Sequence, residues 1–312
     1  MAIWRIEGAI FAFFVGLCSA AQETDKVIAE VHSYANKERP LENPKLFEGD
    51  IFPVHGNLSY NAISNDHQLW PGNVIPYVID YSLQGISGQI KSAIEEYHQK
   101  TCLRFQEHRG ERNYVRIFNG EGCYANVGMV GGEQPLSLGH GCHYHGTIVH
   151  ELGHVAGFYH EHTRSDRDEY IALYLHNVDS QYYPQFQKLH ASENRLYNRF
   201  DYDSVMLYGS RSFSNNEQYS MTRRDGGVLA EVHDKAGLSR ADVERVNRLY
   251  RCNGVAEGGQ GGGGHEPAVE MPIEVSTSVP QWPPMPGYPP QQPSPWHWVI
   301  WSAAQNNATT NI

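Results

Sequence analysis

The stretch His150-Glu151-Leu152-Gly153-His154-Val155-Ala156-Gly157-Phe158-Tyr159-His160 holds the side chains best equipped for chemistry. His150 and His154 are one helical turn apart. On a helix that spacing puts both imidazoles on one face, where they can grip a single ion. Glu151 sits beside them but cannot reach the ion from the same direction, so it faces the open coordination position. Gly157 permits the left-handed residue that ends the helix. The chain then turns back, and His160 arrives as a third ligand from the loop. Three neutral imidazoles with a fourth position left to water describe a catalytic zinc centre, not a structural one. Five fixed positions recur by chance roughly once in ten thousand chains of this size, so the set is a site although no single histidine would be. His140, His143, His145 and His162 stand nearby but off this spacing. They are given no ligand role and are read as surface positions or supports of the ligands.

A helix must carry the first two histidines, and Ile148 to Ala156 is suited to it. Ile86, Ile90, Ala93, Ile94 and Tyr97 recur at helical spacing, which predicts an amphipathic helix over Ser87–Lys100. Ser239 can cap a third helix, with Asp242 three residues on and Val243, Val246, Leu249 and Tyr250 on its inner face. Strands are predicted at Val74–Asp80, behind the turn signal Pro71-Gly72-Asn73, and at Tyr114–Phe118. Gly122–Gly128 and Pro135–Leu138 are shorter, glycine-bounded strand candidates. The pattern is α+β, with no regular βαβ alternation and no internal repeat.

The whole chain has 312 residues and a formal net charge of −11, from 24 Lys+Arg against 35 Asp+Glu. That balance argues against nucleic acid or an acidic membrane surface as a partner, because both need a basic face. No internal apolar run approaches the roughly 20 residues of a membrane span. Residues 1–21 read as a secretory signal peptide, with Arg5 ahead of the apolar core Ala9–Leu17 and small residues Ser19 and Ala21 before Gln22. Export implies an oxidising, extracellular setting where cysteines pair. Cys18 leaves with the signal. Cys102, Cys123, Cys142 and Cys252 remain, and spacing alone permits three pairings. From Gly254 the chain turns glycine-rich, then proline-rich, without a Lys or Arg. Residues 254–312 are therefore read as a flexible tether, whose Trp282, Trp296, Trp298 and Trp301 could engage a partner groove. Asn57 and Asn307 each head a glycosylation acceptor triplet.

The extended motif H-E-x-x-H-x-x-G-x-x-H is similar to that of the metzincin metallopeptidases, which also carry a methionine turn beneath the metal. Here Ser204-Val205-Met206-Leu207-Tyr208 lies about 45 residues beyond His160. Glu161 follows the third histidine, and Arg164-Ser165-Asp166-Arg167-Asp168-Glu169-Tyr170 comes shortly after. Together with Trp70, Val74-Ile75-Pro76-Tyr77 and the four cysteines, these residues resemble one family of that group, the astacins, from Phe47 to Cys252.

The resemblance implies a metzincin (zincin-like) catalytic domain of two subdomains: a twisted, mostly antiparallel sheet with helices above the cleft, and an irregular C-terminal subdomain below. It implies a secreted zinc endopeptidase acting on extracellular proteins or peptides, with one Zn2+ per subunit on His150, His154 and His160. Glu151 would be the general base that takes a proton from the attacking water and passes it to the leaving amine. Tyr208 would be a further, labile zinc ligand that swings away to donate a hydrogen bond to the oxyanion. Met206 would be a hydrophobic base beneath the metal. By the family's pairing, Cys102 joins Cys252 and Cys123 joins Cys142. Residues 22–60 would be a propeptide in which Phe47-Glu48-Gly49-Asp50 matches an F-x-G-D motif. The Asp50 carboxylate would fill the open position and keep the zymogen latent. An activating protease would free the catalytic domain, residues 61–253, near Asn61, and the new ammonium would pair with Glu161 in a buried site. Substrates would lie extended against an edge strand, expected at Gln134–Leu138. Arg223 falls near the place of a basic residue that favours acidic side chains after the cut.

Two positions depart from the family's pattern. Tyr60 precedes the expected cut where many relatives carry Arg, and Leu207 replaces a usual His before Tyr208, removing a polar contact. Competing readings are a matrix-type metzincin and a catalytically weak secreted binding or matrix-associated protein with this fold. The first lacks its propeptide cysteine here, and the second would be expected to have lost Glu151 or a ligand.

Overall fold

The apolar spacing that predicts a helix over Ser87–Lys100 produces one with those bounds, α1, in the computed structural model. Ile90, Ala93, Ile94 and Tyr97 are its buried face. The structure describes residues 39–53, 66–191 and 195–252, all within the first of the chain's two units, Met1–Gly259. The signal peptide, the propeptide outside 39–53, Asn57, Tyr60, Asn61 and the tail 254–312, with its tryptophans and Asn307, lie outside the described residues.

Five strands form the main sheet: β1 (Val74–Ile79), β2 (Arg104–Glu107), β3 (Tyr114–Phe118), β4 (Cys123–Ala125) and β5 (Glu133–Leu138). Their order is β2-β1-β3-β5-β4. The expected mostly antiparallel sheet is corrected here. β1 runs parallel to both β2 and β3, β3 runs parallel to β5, and only β4 is antiparallel. The cause lies in the connections. α1 carries the chain over the sheet between β1 and β2, and such a crossover delivers a parallel neighbour. β4 then occupies the outer edge, so β5 returns beside β3 in the same direction.

The second helix, α2, spans His145–Val155, starting three residues earlier than Ile148, and is buried from Gly146 onward. Its exposed-carbonyl problem at the C-terminus is solved by side chains from other elements. Trp70 Nε1 donates to Val155 O at 2.8 Å and Tyr250 Oη to Ala156 O at 3.0 Å; further back along the helix, Tyr97 Oη of α1 donates to Val149 O at 2.9 Å. Helix α3, Arg240–Leu249, is capped by Ser239 in a capping box with Asp242. α1, α2, α3 and the sheet share one apolar core.

Residues 161–235 look different. They contain a two-stranded antiparallel ribbon, β6 (Ile171–Leu173) with β7 (Met221–Arg223), and short 3-10 turns. A second core of Ile171, Val178, Phe186, Phe200, Phe213, Met221 and their neighbours lies there. The α+β class and the irregular lower part agree with the sequence. Both disulfides, Cys102–Cys252 and Cys123–Cys142, are formed. No helix among the described residues is long and apolar enough to cross a membrane.

Candidate active site

α2 brings His150 and His154 to one face, Gly157 takes φ 108° and turns the chain, and His160 comes back to meet them. The three Nε2 atoms converge. His150 Nε2 lies 3.2 Å from His154 Nε2 and 3.2 Å from His160 Nε2. Metal–nitrogen bonds of about 2.0–2.1 Å put the nitrogens of a tetrahedral zinc site about 3.3–3.4 Å apart, so the spacing fits that ion. The donor chemistry agrees. His150 Nδ1 donates to Val205 O and His154 Nδ1 to Phe158 O, both at 2.7 Å. Those bonds fix the tautomer that points the Nε2 lone pairs inward.

Asp50 completes the group. One carboxylate oxygen lies 3.0 Å from His150 Nε2, and the other 3.3 Å from His154 Nε2 and from His160 Nε2. The four residues are buried and can hold one metal ion. Despite burial, the three histidines keep the Asp50 carboxyl well below the usual carboxylate range. A second carboxylate, which the sequence reading did not single out, reaches the same place. Glu48 Oε2 lies 2.6 Å from His160 Nδ1 and accepts the His160 backbone N–H at 3.2 Å. Its only signal was its place inside the Phe47-Glu48-Gly49-Asp50 tetrapeptide.

Glu151 is fully buried, and neither carboxylate oxygen has a hydrogen-bond partner among the described residues. Burial, and then the charge of Asp50, push its carboxyl well up. Tyr208 Oη touches Asp50 Oδ2 at 2.7 Å and lies 3.0 Å from both Leu41 O and Glu48 O. Burial, and next Asp50, push its phenol up. Met206 lies under α2 at Gly153, where an added Cβ would come within 2.5 Å of its sulfur. Leu207 is buried in the second core. His162 is no surface residue: it is fully buried against the His160 and Tyr208 rings, and Nε2 bonds Gln185 O. His145 pairs with Glu96 and His143 reaches Leu138 O.

The turn 204–208 is held by polar side chains. Asp242 accepts from Ser204 Oγ at 2.6 Å and Val205 N at 2.8 Å. Glu161 N donates to Met206 O at 2.9 Å. The Glu161 carboxylate is itself engaged by Arg245 at 2.7 Å, Asp201 N at 2.8 Å and Arg164 at 3.0 Å. A cavity of about 50 Å³ adjoins it, lined by Gly157, Arg164, Arg195, Met206 and Arg245 among others.

The expected edge strand is corrected. Gln134–Leu138 belongs to β5, which is paired on both sides, by β3 and β4. The sheet's edges are β2 and β4, and residues 50–52 lie along β4: Ala125 N donates to Asp50 O and Phe52 N to Ala125 O, at 3.0 and 2.8 Å. The glycine-bounded runs gave no sign of which would end outermost. Arg223 closes β7, pairs with Asp225 at 2.8 Å and lies over the Tyr202 ring.

A helix and a loop that aim three lone pairs at one point, beside an unpartnered carboxylate, are built for metal-assisted hydrolysis. The class this defines is the zinc metallopeptidases. The family model Astacin (Peptidase family M12A) matches residues 62–251, and the chain belongs to that family. It is 38% identical over 250 residues to astacin-like metalloprotease toxin 1 of Loxosceles intermedia, covering 78% of this chain and 92% of that protein. It is 37% identical over 235 residues to zinc metalloproteinase nas-6 of Caenorhabditis elegans, covering 72% and 68% respectively. Among solved structures it resembles high choriolytic enzyme 1, a hatching enzyme zinc-protease of Oryzias latipes. That match has TM-score 0.55 and 36% identity, over 59% of this chain and 94% of the other. The protein is thus a zinc metalloendopeptidase, with a site for one zinc ion.

Proposed function

We propose that the chain is a secreted zymogen whose catalytic domain, residues 61–253, hydrolyses extracellular proteins once residues 22–60 are cut away. His150, His154 and His160 hold the zinc ion. When bound, the ion polarises the scissile carbonyl and makes a water nucleophilic near neutral pH. Glu151 takes the proton of the attacking water and later gives it to the leaving amine. Tyr208 donates its O–H to the oxygen on which negative charge develops. Met206 floors the site.

The observation that carries this reading is the Asp50 carboxylate among the three imidazoles and against the Tyr208 hydroxyl. It takes the place of water and occupies the hydrogen bond that Tyr208 would give to substrate. Residues 50–52 also cover the β4 edge, the natural seat for an extended substrate. After removal of residues 1–21 in export and cleavage near Asn61, the new ammonium pairs with Glu161 beside its cavity. The tail 254–312 serves as a tether, and Arg223 favours acidic residues after the cut.

The test is casein or gelatin cleavage by the processed protein, with and without a chelator. Glu151→Ala lowers the rate by roughly a hundredfold to ten-thousandfold while the protein stays folded and retains zinc. Undiminished hydrolysis by Glu151→Ala would falsify the assignment.

A further inference from the structure

A buried ammonium with no carboxylate against it needs a reason. The Lys235 side chain is buried, and Asp242, Asp201, Glu231 and Asp203 act on it only through their fields. Burial pushes its ammonium down to about 8. What Nζ touches is backbone. It donates to Ser204 O at 2.6 Å and to Leu207 O, the carbonyls at the two ends of the turn that leads into Tyr208. The carbonyls between them are taken as well, Val205 O by His150 Nδ1 and Met206 O by Glu161 N. Leu207 O has no other donor among the described residues, so an apolar residue at 235 would strand it.

The backbone of Lys235 is fixed from the opposite side. A Cβ on Gly146, in the first turn of α2, would stand 2.6 Å from Lys235 O and 2.3 Å from Val232 O. Only a glycine lets this strand of chain lie so close to the helix. One residue therefore rests its backbone on the helix that carries His150 and His154, and extends its ammonium to the turn that carries Tyr208.

We infer that Lys235 is a positioning residue, which sets the separation between α2 and the turn 204–208 and so holds the Tyr208 hydroxyl and the His150 ring in reacting register. It touches neither substrate nor the reacting atoms. The inference rests on the role assigned above to Tyr208. Displacing a reacting group by about 1 Å costs on the order of a hundredfold in rate, which sets the scale of the effect.

The experiment compares processed wild type, Lys235→Met, Lys235→Arg and Tyr208→Phe. Lys235→Met lowers kcat by about ten- to a hundredfold, with KM within about twofold. It also shifts the visible spectrum of the cobalt-substituted protein, because the His150 ring loses its fixed seat. Lys235→Arg, which can still donate to both carbonyls, recovers most of kcat and the wild-type spectrum. If Lys235→Met is not recovered folded, Lys235→Gln is read in the same way. A wild-type kcat and spectrum in Lys235→Met overturns the inference. So does a loss in which kcat, KM and melting temperature deteriorate together and Arg does no better than Met. Full activity in Tyr208→Phe instead removes the reading beneath it, whereas loss there beside a normal Lys235→Met removes Lys235 alone.

Discussion

The two regions that meet at the metal group are held by different means. The sheet, α1, α2 and α3 are packed on one apolar core, and periodic side chains supply it. Residues 161–235 have three-residue strands, 3-10 turns and a smaller core, and charged side chains, Asp242 and Arg245 of α3 among them, do for them what secondary structure does elsewhere. Arg245 alone reaches Asn198 Oδ1, Glu161 and Arg199 O. Asp242 and Lys235 clamp the turn 204–208. The difference teaches that irregular backbone can be placed as firmly as a helix, provided each polar group has a partner. It also means that the lower region is brittle, because removing one charge strands several others.

The largest expected effect comes from cutting the tie between the first half of the sheet region and its last helix. The Cys102–Cys252 bridge spans 150 residues and Cys123–Cys142 spans 19. Chain-entropy arguments give about 5 kcal/mol for the first and about 3 kcal/mol for the second. Urea unfolding of Cys102→Ser/Cys252→Ser against Cys123→Ser/Cys142→Ser ranks them. A costlier loss from the short bridge would mean that local strain, not loop closure, governs this region. Next comes the polar hub. Arg245→Leu leaves the buried Glu161 short of its 2.7 Å partner and destabilises by roughly 3–5 kcal/mol. A cost below that of an ordinary core trim such as Ile117→Val, about 0.5–1.5 kcal/mol, contradicts the brittleness just described.

The smallest effect is the pH dependence of the segment 39–53 on the lower region. The Glu42 side chain is only 13% exposed. Burial raises its carboxyl to about 7, against the pull of Arg39 and the Phe213 N–H. Because the folded value lies above the ordinary 4.5, this contribution is fully present below pH 4.5 and is lost as pH rises through about 7. It amounts to about 3 kcal/mol at most. Hydrogen exchange in residues 39–53 should quicken over that window, and Glu42→Gln should flatten the change. Equal pH profiles for the two proteins would remove Glu42 from the account.

The regions also differed in how much of each could be read beforehand. α1 came from five apolar residues at helical spacing, Tyr114–Phe118 from a β-rich run, and the α3 cap from Ser239 with Asp242. The histidine group was legible because its ligands are close in sequence and their order follows from helix geometry. Strand direction was not legible, since it depends on where α1 and β4 carry the chain rather than on any strand's own residues. The roles of Glu48, Arg245 and Lys235 were hidden for a related reason. A charged residue looks solvated until distant segments enclose it, and nothing near Lys235 in the sequence announces the carbonyls of Ser204 and Leu207.

The Tyr208 hydroxyl is oversubscribed. A phenol owns a single hydrogen, yet the Tyr208 oxygen has three acceptors within 3.0 Å. Whichever oxygen receives the hydrogen, the other two are crowded against a lone pair, and an unmet buried carbonyl costs about 1–3 kcal/mol. The proposed lock is thus wound slightly against itself. On the activation proposed above, loss of residues 39–53 would return the carbonyls of Leu41 and Glu48 to water, and Tyr208 would exchange an oversubscribed contact for an empty one.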